Sequence, residues 1–138
     1  MKKGLTAARS RRIQQAAASV PFARLLGIEL VDIRPGSAEL SFEIREDLMQ
    51  NNGVVHGGAI ASLIDTAMAF AIISVLSPKE KVTTVDLTVN YLRPLIKGKV
   101  SAIAKVVKAG RRIIVVSAEV FDAAGNLANT SLSNYIRI

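Results

Sequence analysis

The tightest constraint on this chain is an apolar run with no polar side. From Gly57 to Ser77, the residues Ile60, Leu63, Ile64, Ala67, Met68, Ala71, Ile72 and Val75 recur at three- and four-residue steps. That is the spacing of a helix. Opposite them stand Ala61, Ser62, Ala69 and Ser74, which are small rather than charged. A helix without a strongly polar face is buried nearly all round, so something must wrap it. The stretch Ala59 to Leu76 is about the minimum length of a membrane span, but Asp65 sits inside it. A charge at that depth costs about 2.5–3.5 kcal/mol on insertion scales, which favours a buried helix in a soluble protein.

The rest of the chain supplies the wrapping. Residues 5–19 read as an Ala-, Gln- and Arg-rich helix, which Pro21 stops or follows with a second short one. Phe22, Leu25 and Leu26 are spaced to dock one face, and Gly27 ends that turn. Ile28–Ile33 and the alternating Ala38–Arg45 read as strands around a Pro35-Gly36 turn, and Glu46 to Gly53 as a polar loop. After Ser77–Lys81 the pattern is all strand: Val82–Tyr91, Lys99–Val107, Ile113–Phe121 and Leu127–Ile138. Short connections predict a consecutive antiparallel meander. The expectation is an α+β fold: one long buried helix wrapped by a curved antiparallel sheet of five to six strands.

The charge is uneven. Of the formal +7, six basic residues and no acid fall in the first 24 residues: Lys2, Lys3, Arg9, Arg11, Arg12 and Arg24. The remaining 12 basic and 11 acidic residues leave a body near +1. Basicity therefore belongs mostly to an N-terminal tail; residues 1–20 are read as that basic helix or tail, apart from a domain over 21–138. Such a tail suits nucleic acid or anionic lipid, or is simply a solvated helix, and the bland reading is preferred. Being Arg-rich and acid-free, it also has a transit-peptide flavour, without a secretory signal's apolar run. With no cysteine and one histidine, neither disulfides nor a zinc site is expected, and a reducing, cytoplasmic setting fits. There is no P-loop, dinucleotide fingerprint or Gly-x-Ser-x-Gly elbow.

Chemistry gathers where the helix begins. Gln50-Asn51-Asn52-Gly53-Val54-Val55-His56-Gly57-Gly58 leads into the apolar run. Paired glycines are poor helix formers, so a helix opening on them fits a need for bare backbone there. Its first N–H groups have no intrahelical acceptor and carry partial positive charge. They can stabilise the oxyanion formed when a thioester carbonyl is attacked, worth about 3–4 kcal/mol per donor. Asp65 must find a partner, meet water or shift its pKa, and it supplies a base or nucleophile. These are parts of an acyl-transfer site. Taken alone, Asn52-Gly53 reads as a turn, His56 as a helix-start residue supporting the loop, and Asp86 as an exposed or contact residue.

The residues Gly53–Gly58, Leu63–Ala67, Thr84–Leu87 and Asn90-Tyr91-Leu92-Arg93-Pro94, with a last strand opening on a Gly-Asn turn, resemble the hot-dog fold acyl-CoA thioesterases of the PaaI-like group. The likeness covers roughly 22–138. It implies that the Gly57 N–H polarises the thioester carbonyl and that Asp65 is nucleophile or general base. Gln50, where many relatives carry Asn, would hold the thioester or the water, and Thr84 would bring a hydroxyl to the reacting centre. His56 counts with the catalytic set, and Gly58 and Asn52 with substrate binding. Relatives with Gln at that place usually pair it with Glu, whereas here the carboxylate is Asp. Arg93 matches a position suited to a CoA phosphate. Lys108, Arg111 and Arg112, at a turn, could grip the 3′-phosphate or pyrophosphate, or form a solvated hairpin.

Nine residues at ~1.5 Å rise put Asp65 roughly 13 Å along the axis from His56, too far for both ends to serve one carbonyl. The carboxylate must meet the partner's Gly57, which predicts a homodimer with two shared sites, pairing further into a tetramer as is common in the resembling family. The expected activity is hydrolysis of acyl-CoA to free acid and CoA, with no metal and no cofactor beyond the CoA of the substrate. The acyl pocket is expected around Ile60, Leu63, Ile64 and Met68, and the paucity of aromatics favours aliphatic or small aryl groups. The alternative is a non-catalytic acyl-CoA-binding module. Nucleic acid is not an expected partner of the domain.

Overall fold

A computed structural model describes residues 4–138, so Lys2 and Lys3 lie outside the described residues. Two N-terminal helices, α1 (Ala7–Ser19) and α2 (Pro21–Leu26), precede strands β1 (Glu29–Arg34) and β2 (Ser37–Glu43). After one 3₁₀ turn, Glu46–Leu48, comes the long helix α3 (Gly57–Ile73). Strands β3 (Val82–Tyr91), β4 (Lys99–Ala109), β5 (Ile113–Phe121) and β6 (Leu127–Arg137) complete the chain.

All six strands form one antiparallel sheet in the order β1-β2-β4-β5-β6-β3. The predicted meander is therefore corrected at one place: β3 pairs with β6, and β4 lies beside β2. Residues 92–98 are long enough to cross the sheet. The crossing is anchored where the Val55 N–H donates to the Leu95 carbonyl and Leu95 is buried. Pro94, lacking an N–H, suits that irregular link.

α3 lies on the sheet with Leu63, Ile64, Ala67, Met68, Ala71 and Ile72 fully buried against inward residues of β2, β4 and β5 such as Leu40, Ala102, Val116 and Val120. It is not wrapped all round. Gly58 is exposed, and Ala61, Ser62, Asp65, Ala69 and Ile73 are half-buried, a strip the sheet leaves open. The helix also stops earlier than predicted, at Ile73 rather than Ser77. Ser74 ends it: its hydroxyl donates to the Ala71 carbonyl and accepts the Gly36 N–H at 2.8 Å. The next residues then tighten, with Val75 and Leu76 donating three residues back.

The basic N-terminal segment contains a docked helix. Ile13 and Ala17 are buried, and the Arg9 guanidinium donates to the carbonyls of Ile73 and Leu76 at 3.0 and 2.9 Å. In α2 the docking residues differ from expectation. Ala23 is buried and Leu26 half-buried, while Phe22 and Leu25 are exposed. A helix of this length, opened by Pro21 and closed by Gly27 at φ 73°, presents one narrow face, and position 23 takes it.

Candidate active site

The start of α3 is built by its cap. His56 has extended backbone angles and its Nδ1 accepts the Gly58 N–H at 2.8 Å. The Gly58 amide is thereby used. Among the described residues nothing accepts the Gly57 N–H, which leaves it as the helix's open donor. Gly57 is small for a reason: a Cβ there would come 3.2 Å from the Tyr91 ring and hydroxyl. Tyr91 in turn donates to the Gly57 carbonyl at 2.7 Å, pinning the helix start to the end of β3.

Gly57 and Tyr91 border a cleft of about 360 Å³ together with Gln50, Val54, Ile60 and Arg93. Gln50, Gly57 and Arg93 are thus brought together. Asn52 lies in the exposed turn before the cleft and does not border it, nor does Gly58. Of the residues expected to line an acyl pocket, only Ile60 borders this space; Leu63, Ile64 and Met68 are wholly buried in the core.

The carboxylate stands elsewhere on the same helix. Asp65 Oδ1 accepts from the Thr84 hydroxyl at 2.9 Å and from the Tyr135 hydroxyl at 2.6 Å. The Tyr135 hydroxyl also lies 2.9 Å from the Asp65 backbone carbonyl. Both side-chain donors meet Oδ1, and Oδ2 takes none among the described residues. Thr84 and Tyr135 are paired across β3 and β6, so their side chains share the face turned to α3. A bulge at Val85 then shifts the register, and Asp86 accepts the backbone and side-chain N–H groups of Asn134 away from the site. Burial, reinforced by its bond to Asp65, pushes the Tyr135 phenol up, so it remains a donor at working pH.

Tyr135 is the contact to Asp65 that sequence reasoning missed. Its signal was the one aromatic ring in the strand Leu127–Arg137, since a buried tyrosine hydroxyl must find an acceptor. The predicted phosphate-binding cations divide. Arg93 lies 4.0 Å from the Asp122 carboxylate beside the β5–β6 turn. Lys108, Arg111 and Arg112 sit at the β4–β5 hairpin, a strand's length away, where Arg137 Nε holds the Gly110 carbonyl. Among the described residues no cluster of three or more His, Cys, Asp or Glu gathers, and no helix is long and apolar enough to cross a membrane.

A family model described as the thioesterase superfamily matches residues 52–129. The chain is 30% identical to the medium/long-chain acyl-CoA thioesterase YigI of Escherichia coli, over 72% of this chain and 74% of that protein. A thioesterase from Haemophilus influenzae superposes with a TM-score of 0.86 at 28% identity, covering 99% of this chain and 93% of the other. A mutant of the phenylacetic acid degradation protein PaaI from Thermus thermophilus superposes at 0.80 and 29% identity, over 86% of this chain and 100% of the other.

Proposed function

The chain belongs to the thioesterase superfamily, as a hot-dog fold thioester hydrolase of the PaaI-like group, and from that premise we propose that it hydrolyses acyl-CoA at two sites shared across a homodimer. In each site the Gly57 N–H of one protomer, with Gln50 beside it, polarises the thioester carbonyl. Asp65 of the other protomer attacks it or takes a proton from the attacking water. The thioester C–S bond breaks and the thiolate takes up a proton; water releases the acid, either by attacking the thioester itself or by hydrolysing the anhydride that attack by Asp65 forms. Charge develops on the carbonyl oxygen, where a backbone donor with no other acceptor is worth about 3–4 kcal/mol. The reading asks for no cofactor beyond the CoA of the substrate.

The observation that carries this reading is the separation of the two halves. Asp65 follows Gly57 by a little over two turns of α3, about 12 Å along the axis. Two features support a two-fold partner that closes the gap. The open strip of α3 carries Gly58, Ala61, Ser62, Asp65 and Ala69, small enough for a second helix to approach closely. An antiparallel helix setting the partner's Gly57 opposite Asp65 crosses near Ala61. One edge of the sheet is β3, ten residues long, with Val85 and Tyr91 more than half exposed. A long open edge of this kind is one that proteins cover.

The test is Asp65→Asn. Thiol release from acyl-CoA should fall about a thousandfold, while binding of the same acyl-CoA survives. A variant that keeps its turnover would sink the assignment. Wild-type protein that binds CoA esters and releases no thiol would return the chain to the non-catalytic alternative.

A further inference from the structure

The two ends of the molecule differ in charge, and the end remote from Gly57 is unused by the reading above. We propose that this end docks on an anionic lipid bilayer, its cations at the headgroup phosphates and its apolar tips in the interface. Five segments meet there: the start of α1, the β1–β2 turn, the α3–β3 link, the β4–β5 hairpin and the end of β6. Backbone bonds stitch them into one rim. The Val106 N–H donates to the Gly36 carbonyl at 2.8 Å, the Arg137 N–H to the Arg112 carbonyl at 2.9 Å and the Ile138 N–H to the Lys81 carbonyl at 2.9 Å. Arg9 ties α1 to the same rim through the Leu76 carbonyl. Segments far apart in sequence therefore present one surface.

That rim is cationic. Lys79, Lys81, Lys108, Arg111 and Arg112 are exposed, and among the described residues none of them pairs with a carboxylate. The acids at this end are already engaged, Glu80 with Arg137 and Asp32 with Arg34. The other end is balanced. Arg45 and Arg93 pair there with Asp47 and Asp122, and Glu43 stands opposite Lys99 in the register of β2 and β4. A potential concentrated at one pole turns that pole toward a polyanion.

The choice of polyanion rests on what lies between the cations. Val107 is 62% exposed, and Val75 and Ile113 are each 42% exposed. Apolar tips among lysines and arginines suit the boundary between headgroups and acyl chains. There the tips leave water, and each basic side chain gains from the negative surface potential. Single-stranded nucleic acid instead favours exposed aromatic rings on which bases stack. Tyr135, two residues from Arg137, is buried against Asp65 and offers no such platform. Thr84, which donates to Asp65, lies three residues from Lys81, so docking turns the carboxylate half of α3 toward the bilayer. The proposal holds whether or not Asp65 is the reacting carboxylate.

The experiment is co-sedimentation of the full chain with phosphatidylcholine vesicles, with and without about one-third phosphatidylglycerol. Binding should require the anionic lipid and fall steeply between about 0.1 and 0.5 M salt. Arg111→Glu with Arg112→Glu should weaken it about a hundredfold. Lys79→Gln with Lys108→Gln, a milder change at the same rim, should weaken it about tenfold. Lys97→Glu with Lys99→Glu makes the same change in net charge as the arginine pair, but at the balanced end, and should leave binding within about twofold. Val107→Ser with Ile113→Thr keeps every charge and should weaken binding about fivefold. Equal losses in the two charge-reversed variants would reduce the effect to net charge and overturn the proposal. Equal binding to vesicles without the anionic lipid, or none to vesicles with it, would overturn it too. Free CoA or duplex DNA that strips the protein from the vesicles would give the rim to another anion, with the same result.

Discussion

The two ends of α3 receive opposite treatment. At the start, one amide is capped by His56 Nδ1 and the other, the Gly57 N–H, is left open beside a cleft. At the finish, the freed carbonyls are taken: Arg9 reaches those of Ile73 and Leu76, and Ser74 takes that of Ala71. Helix ends ordinarily seek partners for all such groups. A protein that seals one end with an arginine from a distant helix, and leaves glycine bare at the other, has specialised them. The sealed end contributes stability. The open end leaves a donor that no described residue satisfies.

The sharpest way to break that comparison is to separate the open donor from the carboxylate. Gly57→Pro deletes the N–H in question and adds a ring in its place. Proline is tolerated at the first helical position, and His56 already has the extended ψ of 132° that a following proline requires. Tyr91, which is exposed, must give by a few tenths of an ångström. Alone, this variant should lose about 10²- to 10³-fold in kcat. Mixed with Asp65→Asn, it forms heterodimers in which one site carries both lesions and the other carries none. Random mixing should restore about a quarter of wild-type activity, a gain over either parent of more than tenfold. A mixture no better than the average of its parents would show that both groups serve from one chain.

A smaller effect is expected at the middle of the helix. Tyr135→Phe removes the 2.6 Å donor to Asp65 Oδ1 and leaves Thr84 to orient the carboxylate alone. Turnover should fall about tenfold with KM nearly unchanged, because the lost bond orients the reacting group and does not hold substrate. Steady-state kinetics read this directly. A rise in KM at constant kcat would assign Tyr135 to substrate binding.

What could be read from the residues alone follows the same division. The helix, its apolar side and the glycine pair were legible because periodicity and local backbone cost are written in neighbouring positions. Thr84 was reached only through family resemblance, and the geometry sets it against Asp65. Tyr135 lies 70 residues from Asp65. No local pattern encodes a hydrogen bond across that distance; it arises once β6 is inserted between β5 and β3. The crossing of residues 92–98 was missed for the same reason, since a link of that length permits both a hairpin and a crossover. The early end of α3 was hidden because Ser74 acts through Gly36, another long-range partner.

The smallest predicted effect tests the sealed end. Arg9→Ala removes two side-chain hydrogen bonds to the carbonyls of Ile73 and Leu76 and exposes them to water or leaves them unpaired. Hydrogen bonds from a charged donor contribute about 1.5–3 kcal/mol when well buried, and these are only partly buried. A loss of about 1–2 kcal/mol in denaturant unfolding is therefore expected. Acetyl-CoA turnover should hold, since neither Gly57 nor Asp65 lies within two turns of Ile73. If the loss of Arg9 reduced kcat for every substrate as strongly as it reduced stability, the two ends would be coupled. The division of labour along α3 would then fail, because the arginine would be setting the position of the open amide through the whole length of the helix.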